Sequence, residues 1–140
     1  MKKLDNFTSS LNILANADYS RAASDEIYRS GIAHQYSLTF ELAWKAIKQF
    51  MQDRGIDAAI TGSVTDIIRL AYQTELINDF SLWRQMSRDR NITNHVYNAD
   101  EVDQLIANIQ AKYLAALTKL QHTLTKKISE PEPPLSRLQP

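Results

Sequence analysis

Apolar residues recur along this chain at spacings of three and four, the rhythm of helices that bury one face, and no β-branched run alternates with period two. Leu4, Phe7, Leu11 and Leu14 form one stripe and predict a first helix over Leu4–Ala17. A long second helix is predicted from Ser20 to Arg54, with Ile27, Leu38, Leu42, Trp44, Ile47 and Met51 on its buried side and Gly55 as its stop. Gly31 is the weak point inside it, a place for close packing or a slight kink. Residues 55–62 read as a connector. Ser63 followed by Asp66 then resembles a helix start, leading a third helix through Val64, Ile67, Ile68 and Ala71 to an end near Glu75.

A fourth helix is expected from Asp79 or Phe80 through Leu82, Trp83 and Met86, ending somewhere between Arg90 and Tyr97. Asn98 reads as the N-cap of a last helix whose first turn holds Asp100, Glu101 and Asp103. Its apolar positions run from Val102 through Leu105, Ile109, Tyr113, Leu117 and Leu120 to Leu124. The prolines lie only at 131, 133, 134 and 140, so nothing interrupts helices before SEPEPPLSRLQP, which begins at Ser129 and cannot be helical. The fold class expected is all-α: a bundle of four to five helices over residues 1–127, then a flexible Pro-rich tail over 128–140.

Composition narrows the chemistry. The chain has 140 residues, 44% of them apolar and 23% charged, enough for one domain with a real core. It has no cysteine, which excludes disulfides, thiolate metal sites and cysteine nucleophiles, and which is consistent with a reducing cytoplasm. No apolar run approaches a membrane span, and the basic start at Lys2 and Lys3 is followed by no apolar stretch of the kind a signal peptide needs. Sixteen basic residues balance 16 acidic ones, which argues against a protein that coats nucleic acid and leaves room for a local basic patch.

One segment departs from plain amphipathic patterning. Between Arg84 and Asn98, 15 residues hold three arginines, one histidine, three asparagines and one tyrosine. RNA is cleaved without metal when its own 2′-hydroxyl attacks the neighbouring phosphate. That chemistry needs a base titrating near neutrality, which His95 supplies, and a fixed cation on the phosphate oxygens, which Arg90 supplies with Asn91 beside it. Geometry sets a condition. On an unbroken helix a five-residue offset separates two side chains by about 140°. Arg90 and His95 therefore need a helix end or distortion near residues 91–94, or the pairing of two subunits. From spacing alone the plain alternative stands beside this one: solvated arginines, with His95 capping a helix or satisfying a turn.

Arg90 to Tyr97 (RNITNHVY) fits the R-x4-H-x-Y pattern and so resembles the HEPN toxins encoded beside minimal nucleotidyltransferase antitoxins. The surrounding chain resembles the nucleotidyltransferase substrate-binding branch of that superfamily through FELAWK at 40–45, Gly55-Ile56, SVTDIIRLA at 63–71, Leu76-Ile77 and Trp83. The resemblance implies an up-and-down helical bundle that dimerises, with the motifs of both subunits lining one cleft. It implies metal-independent RNA cleavage, tRNA being among the target classes, with Arg90 and His95 as the catalytic pair and Asn91 as polar support. It also implies a partner, a minimal nucleotidyltransferase, that uses ATP to place AMP on Tyr97 and so neutralise the toxin; no cofactor of the chain's own is implied. The alternative within the same family is a non-catalytic substrate-binding subunit of the nucleotidyltransferase.

The remaining candidates read as structural. Trp44, Trp83, Phe40 and Phe50 sit at helical spacings suited to a core. Glu41 and Lys45 form an i,i+4 pair of favourable polarity. His34 and His122 read as surface or structural residues, and Asp89 either holds Arg88 or Arg90 or is solvated. No Gly-rich phosphate loop is present, so the chain is not itself the transferase.

Overall fold

In a computed structural model, residues 1–91 and 98–130 are described, and among them the chain is helical with no strand. The elements are α1 (Lys2–Ala15), α2 (Tyr19–Ala22), α3 (Glu26–Asp53), a 3-10 turn at Asp57–Ala59, α4 (Val64–Gln73), α5 (Phe80–Asp89), α6 (Ala99–Asn108) and α7 (Leu114–Ser129). A π-helical turn, Ile109–Tyr113, joins α6 to α7. The 28 residues of α3 make an axis roughly 42 Å long, and α1, α4, α6 and α7 all pack against it. The tail expected over 128–140 begins later than that, because α7 continues through Ile128 and Ser129, and residues 131–140 fall outside the described residues.

Local chemistry sets the boundaries. Ser63 Oγ accepts from the Asp66 amide at 3.2 Å while the Asp66 carboxylate accepts from the Ser63 amide at 3.1 Å, the reciprocal cap expected for α4. Ser63→Ala is expected to lower stability by about 1 kcal/mol, read from the midpoint of urea unfolding. Gly55, at φ 79°, stops α3: its amide returns to Gln52 O and that of Ile56 to Met51 O, both at 3.0 Å. The same closing motif ends α4, with Glu75 at φ 63° and the Leu76 amide 2.8 Å from Ala71 O. Asp79 and Asn98 cap α5 and α6 as the sequence suggests.

Two expectations about the long helix are corrected. It does not run unbroken from Ser20, because Asp25 takes an extended conformation and caps a new helix, its carboxylate accepting from the Tyr28 amide at 3.0 Å. Its buried side is only partly the expected one: Ile47 and Met51 are enclosed, with Ala33, Tyr36, Phe40, Ala43 and Ala46, whereas Ile27 is 87% exposed, Leu38 44%, and Leu42 and Trp44 are partly buried. Ile27 and Leu38 lie within about 20° of each other on the helix, and Tyr36 and Ile47 lie roughly across the axis. The enclosed face is rich in alanine, which lets neighbouring helices approach but weighs little in an apolar pattern dominated by large side chains. A Cβ placed on Gly31 would meet nothing within 4 Å, so this glycine serves no close approach.

Polar contacts tie the helices together. Thr39 Oγ1 donates to Gln35 O at 2.7 Å and lies 2.7 Å from Ser10 Oγ, tying α1 to α3. Arg54 lies over the Phe50 ring and donates to Lys127 O at 2.7 Å, satisfying one of the carbonyls left open at the end of α7.

Candidate functional site

The C-terminal turn of α5 rests on the middle of α3, and α3 side chains there donate to its last carbonyls. Tyr36, fully enclosed, donates its hydroxyl to Met86 O at 2.7 Å, and Ser37 donates to Arg90 O at 2.6 Å. Burial pushes the Tyr36 phenol well above its ordinary range, so it stays a neutral donor at physiological pH. The helix stops there. α5 ends at Asp89, and Arg90 and Asn91 form a turn, the Asn91 amide reaching back to Arg88 O at 3.3 Å.

Arg90 therefore sits at the last helical turn with its backbone held by α3. Its side chain folds back onto the same helix. Nη1 makes an ion pair with Glu41 Oε1, and the guanidinium carbon lies 5.5 Å from the centre of the Phe40 ring. The other carboxylate oxygen of Glu41 accepts from the Trp44 indole N–H at 3.1 Å. The Arg90 side chain is 19% exposed and that of Glu41 39%, so the pair is half-buried and partly screened by solvent. Its Nε is buried and has no acceptor among the described residues.

On the neighbouring side of α5, Asp89 accepts from the Tyr113 hydroxyl, and the Tyr113 ring stacks on Tyr36 with centroids 5.5 Å apart. Burial, reinforced by the Asp89 carboxylate, pushes the Tyr113 phenol far above its ordinary range. The π turn between α6 and α7 carries Tyr113 into this contact, so a last helix read as one regular rod contains a local widening. Between α5 and α6 a cavity of about 430 Å³ is lined by Gln85, Arg88, Asp89, Glu101, Gln104, Leu105 and Asn108.

Of the residues expected at the site, Arg90 and Asn91 lie at the end of α5, and His95 and Tyr97 lie outside the described residues. Asp89, whose role sequence leaves open, is engaged with Tyr113 rather than with either arginine. Glu41 is the residue sequence reasoning undervalues. Its spacing suggests a surface pair with Lys45, yet its carboxylate is shared between Arg90, 49 positions away, and Trp44. Trp44 is correspondingly only partly buried at the edge of the core, whereas Phe40, Phe50 and Trp83 lie within it. The acidic cluster at Asp100, Glu101 and Asp103 belongs to the first turns of α6, with Asp103 paired to Arg29 at 3.5 Å. Among the described residues no helix is long and apolar enough to cross a membrane.

An 82-residue stretch, 57% of the chain, is 30% identical to "Probable ribonuclease HepT" of Haemophilus influenzae and spans 56% of that relative, so the match covers little more than half of either protein. Residues 2–126, all of the bundle but the end of α7, match the family described as nucleotidyltransferase substrate binding protein like. With a match along nearly the whole length of its helical bundle, this chain belongs to the family of nucleotidyltransferase substrate binding protein like proteins.

Proposed function

We propose that the protein is a metal-independent endoribonuclease toxin, acting on RNA of the tRNA class, with Arg90 and His95 as its catalytic pair. The observation that carries this reading is the end of α5 at Asp89. A straight helix through residue 95 would point the two side chains about 140° apart, and the turn at Arg90 and Asn91 removes that obstacle. His95 takes the proton from the 2′-hydroxyl as the oxygen attacks phosphorus. Arg90 meets the charge that builds on the non-bridging oxygens, Asn91 supports the phosphate, and the 5′-oxygen leaves with a proton. The products are a cyclic phosphate and a free 5′-hydroxyl. The test is purified protein with tRNA in excess chelator, beside His95→Ala. Equal cleavage by both proteins, or none by the wild type, removes the reading.

The active form is a homodimer. The outward side of α3 supports this, since Ile27, Gly31 and Leu38 share one exposed stripe, flanked by Ile13 of α1 at 61% exposure. Glu41 lies at the margin of the same stripe, so a two-fold pairing of α3 with its copy brings both Arg90 centres to one cleft. Leu38→Asp is expected to yield monomers in sedimentation and to lose most cleavage activity. A Leu38→Asp protein that remains dimeric shows that another face is used.

The partner is a minimal nucleotidyltransferase that transfers AMP from ATP to Tyr97, placing a phosphate and its bulk two residues from His95 and excluding RNA. Intact mass after co-expression reads the added nucleotidyl group and its loss in Tyr97→Phe. The family's own description favours a second reading, a non-catalytic subunit that presents a substrate to the transferase. A stable complex with the transferase and no growth arrest on expression alone distinguishes it.

A further inference from the structure

We propose that Glu41 is the positioning residue of Arg90, holding the guanidinium by one nitrogen so that its remaining donor edge is presented to a phosphate. This rests on the reading of Arg90 as the phosphate-binding cation.

A long arginine side chain at a helix end has several rotamers, and a cation that stabilises a transition state works best when its position is set beforehand. Four contacts set it here, all from α3. Ser37 holds the Arg90 carbonyl, and Phe40 supports the face of the guanidinium. Glu41 takes Nη1 through Oε1, and Trp44 holds Glu41 through Oε2. These residues fall at 37, 40, 41 and 44, one side of two successive turns, so one helix delivers the whole cradle. Both Glu41 oxygens are therefore assigned. With one oxygen on Arg90 and the other on Trp44, the carboxylate is itself held in place. A guanidinium has five N–H donors. With one nitrogen on Glu41 and Nε buried, Nη2, which has no partner among the described residues, is the end that meets an incoming oxyanion.

Glu41→Gln is the informative variant because it keeps shape and removes charge. A carboxamide carries one acceptor oxygen where two donors, Arg90 Nη1 and Trp44 Nε1, each require one. Two measurements separate the outcomes. In ¹⁵N spectra of arginine side chains, the Nη–H signals of Arg90 are expected to be individually resolved in the wild type, where the ion pair slows rotation about Cζ–Nε, and to collapse in Glu41→Gln. In RNA cleavage, Glu41→Gln is expected to lower kcat roughly 10- to 100-fold with little change in KM, the range in which partners of a functional group typically act. Glu41→Asp, charged but shorter by one methylene, should recover part of the loss. Added to Arg90→Ala, Glu41→Gln should have no further effect, because the two act as one unit. Unfolding midpoints and sedimentation of each variant confirm that fold and assembly are retained.

Resolved Arg90 signals that persist in Glu41→Gln overturn the proposal, as does an additive loss in the double variant. A gain in activity on Glu41→Gln also overturns it, since Glu41 would then compete with phosphate. A wild type that shows the ion-pair signature but cleaves no RNA removes the ribonuclease reading and leaves Glu41 as the holder of Arg90.

Discussion

Arg90→Ala is expected to lower the rate of RNA cleavage by roughly 100- to 1,000-fold, the scale on which a pre-set donor to a developing oxyanion contributes. The expected signature is a fall in kcat larger than the rise in KM. A phosphodiester already carries one negative charge in the ground state, but the second charge and the tighter contact appear only as the pentacoordinate species forms. Arg90→Lys should recover little, because an ammonium cannot bond to Glu41 and present a planar fork to phosphate at once. His95→Ala should cost a further proton-transfer component, roughly 100- to 10,000-fold alone. The double variant should be little worse than the weaker single one, as for groups that act together. Single-turnover cleavage of a tRNA in chelator measures all of these. Activity that survives both substitutions places the chemistry elsewhere.

Phe40→Ala should produce the largest loss of stability of any substitution near the site, about 3–5 kcal/mol by urea unfolding. Phe40 is fully enclosed, its ring 6.0 Å from Trp83 and 6.5 Å from Tyr36, so truncation leaves a cavity where α3, α5 and the end of the bundle meet. The same ring lies beneath the Arg90 guanidinium, so the variant should also lose activity at temperatures where it stays folded. Phe40→Leu, which refills much of the volume, should restore most stability and only part of the activity. Ile60→Ala, at a residue 54% exposed, is the matched control and should change stability by less than about 0.5 kcal/mol. If Phe40→Ala and Ile60→Ala unfold at similar urea concentrations, α3 does not organise the core as described.

Much of the fold is legible in residue order. Helix starts at Ser63, Asp79 and Asn98, the stop at Gly55, and the buried positions of α1 and α4 follow from side chains that bond their own backbone and from apolar spacing, both local properties. Arg90 and Asn91 stand out in the same way, because a dense run of hydrogen-bonding groups near a helix end needs no knowledge of distant residues. The orientation of α3 could not be read like this. Ile47, Phe50 and Met51 of its C-terminal half face inward as expected, but Ile27 and Leu38 face outward, and packing against α1, α6 and α7 decides that the N-terminal half encloses Ile32, Ala33, Tyr36 and Phe40 instead.

The cradle around Arg90 lies further still from sequence. Glu41 and Lys45 satisfy the rule for a helical ion pair, and nothing within a few residues reveals that a cation 49 positions away occupies Glu41 instead. The sequence by itself determined the helical class and most caps, because those depend on backbone bonding and on side-chain type over one or two turns. Tertiary structure alone decided that Ile27 and Leu38 stay outside, that Tyr113 meets Asp89, and that Arg90 is gripped by Glu41, Phe40 and Ser37, with Trp44 behind Glu41. Those outcomes depend on which surfaces meet when the chain closes on itself, and burial and charge pairing act across space without regard to separation along the chain.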